Sequence, residues 1–309
     1  MENNFIKIIK EIIDDINFES EDDRYRFETL CDDYLVLITD ISNNKTFNII
    51  GYTFPLNNAT SSEICRDKVA CSDLLMKHNI PCVPGKLFAI SETHNLMEYC
   101  LSLGFPIVIK NNKGTCGKNV FLISNIDELN KFISVKDNLY FAQICVNKFV
   151  DIVDEYRVVI LNGASLLCYS KIRPYVIGDG ESTVGELVLK KNIEIIDTII
   201  PLNKIPQNNE KVFLNWKHNL CCGAQPNIIN DVDPKLLDIA CRTVEALNMN
   251  FCSVDVVKDK NNDLRVLEVN SGVMLEYVSH YHNDVFDGYK TAKNIYKQAL
   301  TSMFNNYGS

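Results

Sequence analysis

The stretch FCSVDVVKDKNNDLRVLEVNSG, residues 251–272, decides the fold of this chain. Two runs rich in valine and leucine flank the pair Asn261-Asn262, a pattern that predicts two antiparallel strands joined by a tight turn. If the asparagine pair forms the turn, Asp255 on the first strand faces Glu268 on the second. The stretch therefore predicts a hairpin with two facing carboxylates.

The two faces of this hairpin differ in character. One face carries only apolar side chains and must be a core face, because alternate residues of a strand point to opposite sides. Its members are Val254, Val256, Leu267 and Val269. The other face carries the two carboxylates and, one step further along, Ser253 opposite Asn270.

The polar face needs positive charge. Facing Cβ atoms lie about 5 Å apart, so an Asp opposite a Glu is repulsive unless a cation lies between them. A divalent metal is the expected source, because the incomplete all-oxygen set Asp255, Glu268 and Asn270 suits Mg²⁺, or Mn²⁺, completed by phosphate oxygens. Neutralising one carboxylate should then relieve repulsion at no loss of stability. An ordinary exposed hairpin with a wet polar face is the alternative.

Composition narrows the class of protein. The chain has 309 residues, 46% of them hydrophobic, and a formal net charge of -9. It can bury a large core, and we expect two or three lobes around one site. The absence of a long basic block argues against nucleic acid or an anionic membrane as a partner. No apolar run approaches the length of a transmembrane helix.

The twelve cysteines are scattered singly through apolar runs, and no signal peptide precedes them. We therefore expect reduced thiols and a cytoplasmic protein. Cys221-Cys222 is the one adjacent pair. A metal or redox role for this pair has little support, because no second Cys/His cluster accompanies it.

A second motif lies in the first half of the chain. A strand-like run ends at Lys110, the loop NNKGTCG follows, and a second run covers 119–123. Gly114 and Gly117 allow the backbone to approach a ligand closely, while Lys110, Lys113 and Lys118 supply positive charge. This combination predicts a flap over phosphates. It is not a Walker A loop, because GxxxxGK[ST] is absent.

Further strands are predicted at 139–146, 156–161 and 165–172, the last two as a hairpin around Asn162-Gly163. Residues 192–211 are polar, contain two prolines and read as an irregular loop.

In combination, these motifs are similar to those of the ATP-grasp superfamily. A lysine-bearing strand with a glycine flap, a later hinge strand and an Asp…Glu-x-Asn hairpin occur in that order. Residues 67–272 resemble the ATP-grasp portion of cyanophycin synthetases and bifunctional glutathione synthetases. The resemblance implies an α+β, ATP-grasp fold: two α+β lobes that clasp ATP, plus a small N-terminal α/β lobe. We expect boundaries at 1–60, 61–146 for the flap-bearing lobe, and 147–309 for the lobe with the metal hairpin.

The resemblance also implies site residues. Lys68 and Lys110 match the lysines aimed at the ATP phosphates, and the hinge strand matches Gln143, Ile144, Cys145 and Val146, whose backbone would receive adenine. The family usually has Glu where this chain has Gln143. The other implied nucleotide contacts are Gly114, Gly117, Lys118 and Asp151. The implied metal ligands are Asp255, Glu268 and Asn270. The implied catalytic residues, which would hold a substrate carboxylate or the reacting phosphate, are Arg157, Lys171 and Arg173.

The activity implied is that of an ATP-dependent carboxylate–amine ligase, which forms an amide through an acyl phosphate and releases ADP and phosphate. The cofactors would be ATP and Mg²⁺ or Mn²⁺. The partners would be a small-molecule or peptide carboxylate and amine, an amino acid or peptide among them, with no nucleic acid or membrane; a homodimer is left open. A kinase-like enzyme and a non-catalytic ATP-binding module are the alternatives.

Two departures limit what can be carried over. The relatives with a second catalytic domain are longer, whereas about 60 residues precede the match here. Ser271-Gly272 also follows Asn270 where many relatives have proline. The acid and the amine therefore stay open.

Overall fold

The computed structural model describes residues 3–135, 142–191, 193 and 200–307. Within them the chain forms the predicted α+β structure, built on antiparallel sheets. The predicted strand at 139–146 and the predicted loop at 192–211 lie partly outside the described residues. Among the described helices, none combines the length and the apolar character needed to cross a membrane.

The N-terminal elements are a helix and a small sheet. Helix α1 (Asn4–Glu19) buries a stripe of isoleucines that recur at helical spacing. A three-stranded antiparallel sheet follows, formed by β1 (Tyr25–Leu30), β2 (Leu35–Asp40) and β3 (Lys45–Ile50). These elements share one core with the C-terminal helix α9 (Gly288–Tyr307) and one face of the large sheet described below.

Two helices lead to the flap-bearing lobe. α2 (Ala59–Arg66) and α3 (Lys68–Lys77) are separated at Asp67, whose backbone is extended. The Asp67 carboxylate accepts a hydrogen bond from the backbone N–H of Ala70 and so caps α3. This break places Lys68 at the first residue of a helix.

The flap-bearing lobe has a four-stranded antiparallel sheet with the order β4-β7-β5-β6. Its strands are β4 (Lys86–Ala89), β5 (Ile107–Asn111), β6 (Val120–Ile123) and β7 (Gln143–Lys148). The helices α4 (Thr93–Leu103) and α5 (Ile126–Val135) pack on this sheet and give the lobe a core of its own. The loop between β5 and β6, residues 112–119, is the predicted flap.

The large sheet has five antiparallel strands in the order β12-β9-β8-β13-β14. They are β8 (Ile152–Leu161), β9 (Ala164–Ile172), β12 (Gln225–Ile228), β13 (Phe251–Asp259) and β14 (Leu264–Asn270). The predicted turn between β8 and β9 has positive φ at both Asn162 and Gly163, as a type I′ turn requires. The second face of this sheet packs on α2, α3 and α7 (Pro234–Ala246).

Several short elements complete the C-terminal half of the described chain. Strands β10 (Tyr175–Ile177) and β11 (Lys211–Phe213) pair with each other, and α6 (Val184–Lys190) packs on them around a small apolar cluster. Helix α8 (Glu276–Ser279) precedes α9.

The β13–β14 hairpin confirms the predicted pairing but not the predicted turn. Asp255 faces Glu268, and Ser253 faces Asn270. The two-residue turn is wrong: the last pair is Lys258 with Leu264, so the loop has five residues. A register shift between Asp255 and Val256 compensates for the longer loop.

The same shift changes one predicted core residue. Val256 faces Val266 rather than Leu267, and Val266 is 1% exposed. Leu267 is half-buried and lies beside Lys68 and Glu268 in the wall of a small cleft. The bulge therefore turns Leu267 from the core toward the site.

The three-part division of the chain stays a prediction. Packing favours placing α2 and α3 with the large sheet, because Cys65, Cys71 and Leu75 share its second core. On this criterion the flap-bearing lobe begins near Lys86 and ends near Lys148.

Candidate active site

The centre of the site is a buried ion cluster around Asp255. Arg157 donates from Nε and Nη2 to the two carboxylate oxygens of Asp255, at 2.6 and 2.7 Å. Lys171 donates from Nζ to the same carboxylate at 2.8 Å and to Glu155 Oε1 at 2.5 Å. Asp255 is 1% exposed and Lys171 5% exposed, so these charges are almost fully removed from water.

Sheet register assembles this cluster. Asp255 of β13 faces Arg157 of β8, and Arg157 faces Tyr169 of β9, two residues before Lys171. Side chains two apart on a strand share a face. Glu155 therefore joins Arg157 on the same face, and sequence reasoning missed it although this alternation is visible in the chain.

The charges in the cluster determine the pKa of each member. Burial alone would raise the pKa of Asp255, but the charges of Arg157 and then Lys171 outweigh it and hold that pKa well below its usual range. Burial raises the pKa of Glu155 to about 7, against the opposing charge of Lys171. Burial and Arg157 would lower the pKa of Lys171, yet Asp255 and Glu155 raise it overall.

The ion pairs of Asp255 argue against the expectation that neutralising it costs no stability. The positive charge that offsets the facing carboxylates comes from Arg157 and Lys171, which both contact Asp255 directly. An uncharged side chain at 255 would leave two buried cations short of a counter-charge, which is strongly unfavourable.

The predicted metal ligands lie together on the hairpin face, and Asn270 donates from Nδ2 to Glu268 Oε1 at 3.3 Å. Among the described residues, no group of three or more His, Cys, Asp or Glu side chains is arranged to hold a metal. Both oxygens of Asp255 already accept hydrogen bonds from cations. The donors fit a divalent cation only if phosphate oxygens complete its ligand shell, as Mg²⁺ often requires.

Two predicted phosphate lysines converge on this face. Lys68 donates from Nζ to the carbonyl oxygens of Gly114, at 2.5 Å, and of Asn112, at 3.3 Å. Burial lowers the pKa of Lys68, the charge of Glu268 opposes this, and the charge of Lys110 adds to it. Lys68 is thus within electrostatic reach of both Lys110 and Glu268.

The other two flap lysines are exposed. Lys113 pairs with Glu63 of α2. The role of Lys118 as a nucleotide contact stays a prediction.

The flap lies against the turn at residues 219–223. A Cβ atom at Gly117 would stand 2.6 Å from Asn219 Nδ2, so the approach depends on glycine. Lys217 also donates from Nζ to the Gly117 carbonyl oxygen at 3.5 Å. Gly114 is equally tight, since a Cβ there would lie 2.9 Å from the Cβ of Asn111.

The predicted hinge residues are engaged within their own sheet. Ile144, Cys145 and Val146 have strand partners on both sides, in β4 and β5, and the Gln143 carbonyl accepts from Asn112 N–H. Their backbone N–H and C=O groups are therefore used in hydrogen bonds within the sheet.

The open edge of β7 lies further along. Even-numbered residues of β7 direct N–H and C=O toward β4, as Ala142 does in accepting from Ile90. Pairing with β4 ends at Val146, opposite Lys86. The edge beyond it, at residues 148–151, lines a cavity of about 540 Å³. Pro84, Asp259 and Arg265 line it as well, together with the predicted nucleotide contact Asp151.

Arg173 stands outside the ion cluster. Its guanidinium carbon lies 4.0 Å from the centre of the Phe213 ring, and its Nε is buried with no hydrogen-bond partner among the described residues. Burial lowers its pKa, and the charge of Asp151 opposes the shift. His218 lies nearby, with Nδ1 2.9 Å from the Lys171 carbonyl oxygen and Nε2 buried and unpaired.

Comparison with known proteins shows which family and which proteins the chain is similar to. Residues 65–173 match the model of the RimK-like ATP-grasp domain. The chain is 26% identical over 243 residues to the alpha-aminoadipate–LysW ligase of Saccharolobus solfataricus, covering 76% of this chain and 70% of that protein. It is 23% identical to the glutathione biosynthesis bifunctional protein of Listeria welshimeri, over 65% of this chain but only 29% of that protein.

Solved structures show the same fold. The bifunctional glutathione synthetase from Pasteurella multocida aligns with a TM-score of 0.55 at 15% identity, over 93% of this chain and 44% of that one. The D-alanine–D-alanine ligase from Bacillus anthracis aligns with a TM-score of 0.54 at 19% identity, over 81% and 72%. Residues 65–173 thus match a RimK-like ATP-grasp domain, and the chain has the ATP-grasp fold.

Use of ATP and of a divalent metal is typical of such carbon–nitrogen ligases. The residues near the site that sequence reasoning missed are those whose position depends on a distant partner. Asn219 meets the flap across the site, and residues 148–150 face the cavity only because β4 ends early.

The ion cluster gives a test of stability. Asp255→Asn should lower the free energy of unfolding by about 3–5 kcal/mol, because it leaves buried cations without a counter-charge. Glu268→Gln, on the opposite strand, is the matched variant and should cost less than about 1 kcal/mol, since Glu268 is only half-buried. Urea unfolding of both proteins measures this. Equal losses would contradict the structural role assigned to Asp255.

The ion pairs of Asp255 also predict how the stability of the protein depends on pH. The folded-state pKa of Asp255 lies below its unfolded value, so its contribution is complete above that value and is lost as pH falls through the folded-state pKa. The stability gap between parent and Asp255→Asn should therefore narrow below a pH of about 4. A gap that stays constant down to pH 2 would count against this assignment.

The flap contact gives a kinetic test. Gly117→Ala should lower kcat/KM for ATP by about tenfold to a hundredfold, because the added methyl group holds the flap away from Asn219. The Asn219 side chain cannot easily move aside, since its Oδ1 accepts from Cys221 N–H.

Gly163→Ala is the matched control for this test. Gly163 has a similar positive φ, 79° against 66°, but nothing lies within 4 Å of a Cβ added there. Both variants carry similar backbone strain, so steady-state kinetics should separate them. Equal kinetic losses would exclude a flap contact as the cause.

Proposed function

We propose that this ligase activates a substrate carboxylate as an acyl phosphate and joins it to an amine, releasing ADP and phosphate. The observation that carries the proposal is that Lys68 and Glu268 line the same small cleft, with Lys110 close enough to Lys68 to lower its pKa. Lys68 and Glu268 belong to elements that pack together around the large sheet, whereas Lys110 comes from the flap-bearing lobe. Phosphoryl transfer needs mainly positioning and charge neutralisation, and this arrangement offers both.

The predicted phosphate, metal and flap residues have the following roles in this scheme. Lys68 and Lys110 contact phosphate oxygens, while Glu268 and Asn270, with Asp255, hold the divalent metal. A bound Mg²⁺ or Mn²⁺ would neutralise the charge of the phosphates. Gly114 and Gly117 let the flap close over them.

Arg157 and Lys171 act mainly as positioning residues. Their donors are directed at Asp255, which they hold in a fixed orientation in the sheet. The cation proposed for the substrate carboxylate is Arg173, because its buried Nε lacks a partner within the described residues. A carboxylate would satisfy that donor and receive a charge-assisted hydrogen bond.

The nucleotide base is proposed to bind along residues 148–151 rather than along the originally predicted Gln143, Ile144, Cys145 and Val146. Only the later segment combines an unpaired strand edge with a cavity large enough for a ring system. Asp151, exposed in the cavity wall, is proposed to accept hydrogen bonds from the ribose hydroxyls.

The proposed substrates are an amino acid or peptide that supplies the carboxylate and another that supplies the amine. Relatives support this class: one is named for alpha-aminoadipate and LysW, and another, from Sulfurisphaera tokodaii, is a glutamate–LysW ligase at 25% identity. All twelve cysteines are free thiols, which supports the proposal that the enzyme acts in the cytoplasm.

The ribose contact can be tested with nucleotide analogues. Asp151→Asn should raise KM for ATP by about tenfold through weakened hydrogen bonds, and should leave KM for 2′,3′-dideoxy-ATP nearly unchanged. Asp154→Asn is the control, because Asp154 pairs with Lys258 and does not line the cavity. An equal effect of Asp151→Asn on both nucleotides would remove the ribose assignment.

The chemistry can be tested by its products. A panel of amino acids and short peptides, including alpha-aminoadipate and glutamate, should yield ADP and phosphate only when an acid and an amine are both present. With the acid and hydroxylamine, a hydroxamate should accumulate, and ¹⁸O from the carboxylate should pass into phosphate. AMP with pyrophosphate would overturn the acyl phosphate, and a phosphorylated product without amine would indicate a kinase-like enzyme.

Two variants complete that experiment. Glu268→Gln should abolish turnover, because it removes a metal ligand. Arg173→Ala should lower kcat/KM for the acid more than for ATP. Lys211→Ala, which removes an exposed cation over the same Phe213 ring, is the control for Arg173.

A further inference from the structure

Two thiols meet where the flap touches the rest of the molecule. Cys116 lies in the flap and is exposed, and Cys221 lies half-buried in the turn at 219–223. The two thiols lie close enough to interact, and this interaction shifts the pKa of both.

Independent contacts place the same two segments together. Gly117, next to Cys116, comes so close to Asn219 that a Cβ atom would not fit. Lys217 donates to the carbonyl oxygen of Gly117 at 3.5 Å. The juxtaposition of the thiols thus belongs to a lobe-to-lobe contact that several groups maintain.

The surroundings make the two cysteines unequal. The interaction with Cys116, then that with the Tyr277 hydroxyl, and the charges of Arg157 and Lys171 lower the pKa of Cys221. The interaction with Cys221 raises the pKa of Cys116. Thiolates, not thiols, are the nucleophiles. Cys221 is therefore suited to react first, and the exposed Cys116 to react with the product.

A soft-metal site is a poorer explanation of the pair. Within the described ranges no cluster of three His, Cys, Asp or Glu side chains suited to a metal is present. Two adjacent thiols, one of them exposed, instead match the arrangement of an attacking and a resolving cysteine.

We propose that Cys116 and Cys221 form a disulfide under oxidising conditions and that this bond fastens the closed flap to the C-terminal lobe. The bond would cross from one lobe to the other, so the flap could not open to exchange nucleotide or substrates. The effect on turnover rests on the proposed function of the flap; the formation of the disulfide does not.

The reaction balances with a hydroperoxide as oxidant. The Cys221 thiolate attacks one peroxide oxygen, an S–O bond forms, the O–O bond breaks, and the leaving oxygen takes up a proton. Cys116 then loses its proton and attacks the Cys221 sulfur, so that an S–S bond forms and water leaves. With hydrogen peroxide, two thiols and one peroxide give one disulfide and two waters.

The disulfide is tested by mapping it. The reduced protein is treated with a small excess of hydrogen peroxide, blocked with N-ethylmaleimide and digested for mass spectrometry. We expect a cross-linked peptide pair that contains Cys116 and Cys221, and a fall of two in the number of free thiols. A bond between Cys221 and Cys222, or sulfinic acid without any cross-link, would overturn the proposal.

The effect of the disulfide on the flap is tested by measuring ATP turnover before and after oxidation. The parent should lose most of its ATP turnover and regain it with dithiothreitol, whereas Cys116→Ser should keep most of its own starting turnover after oxidation. Cys31→Ser removes an exposed thiol far along the chain and should behave as the parent does.

Peptide mapping and turnover measurements together show which part of the proposal fails. If the mapped disulfide forms but ATP turnover is unchanged, the proposal that the disulfide holds the flap closed is refuted. If the reduced protein turns over no substrate pair, the proposed function fails, while peptide mapping still decides the disulfide. If oxidation inactivates Cys116→Ser as strongly as the parent, another thiol is responsible and the proposal is wrong.

Discussion

The carboxylate of Asp255 is the group on which the rest of the site depends. It is buried in the large sheet and accepts hydrogen bonds from Arg157 on the neighbouring strand β8 and from Lys171 on β9, the strand beyond β8. A buried charge is tolerated only when it is paired and hydrogen-bonded, so these three side chains stabilise one another's ionised forms. Glu268 faces this cluster from β14 without an ion pair of its own among the described residues. It is therefore the carboxylate best placed to bind a ligand cation.

The site is completed by a second lobe that reaches it from a separate core. Lys68 begins α3, which packs on the large sheet, yet its ammonium group binds the carbonyl oxygens of the flap. The flap in turn contacts Asn219 through Gly117. Because few apolar side chains take part, these contacts can open at modest cost, as a nucleotide-binding cover must. The same feature explains why one covalent bond at this place would change the behaviour of the enzyme.

How far the sequence leads can be judged residue by residue. The alternation of side chains and the asparagine pair predicted that Asp255 faces Glu268. The pairing is confirmed, although the loop has five residues rather than two. A β-bulge between Asp255 and Val256 restores the predicted register. Such a bulge is hard to predict from a run of valines and leucines. Leu267 was placed in the core for the same reason. The hinge predicted at 143–146 is paired on both sides, and the proposed later position on β7 depends on where β4 stops.

By itself, the sequence determined the elements whose signals are local. The amphipathic helices, the Asn162-Gly163 turn, the glycine flap and the acidic hairpin follow from the period and chemistry of neighbouring residues. The tertiary structure alone decided which charges meet. Arg157 and Lys171 neutralise Asp255 across 98 and 84 residues of chain, and Cys116 meets Cys221 across two lobes. Strand order and lobe packing determine which of these distant residues come into contact. Both depend on the free energy of the whole core rather than on any single segment.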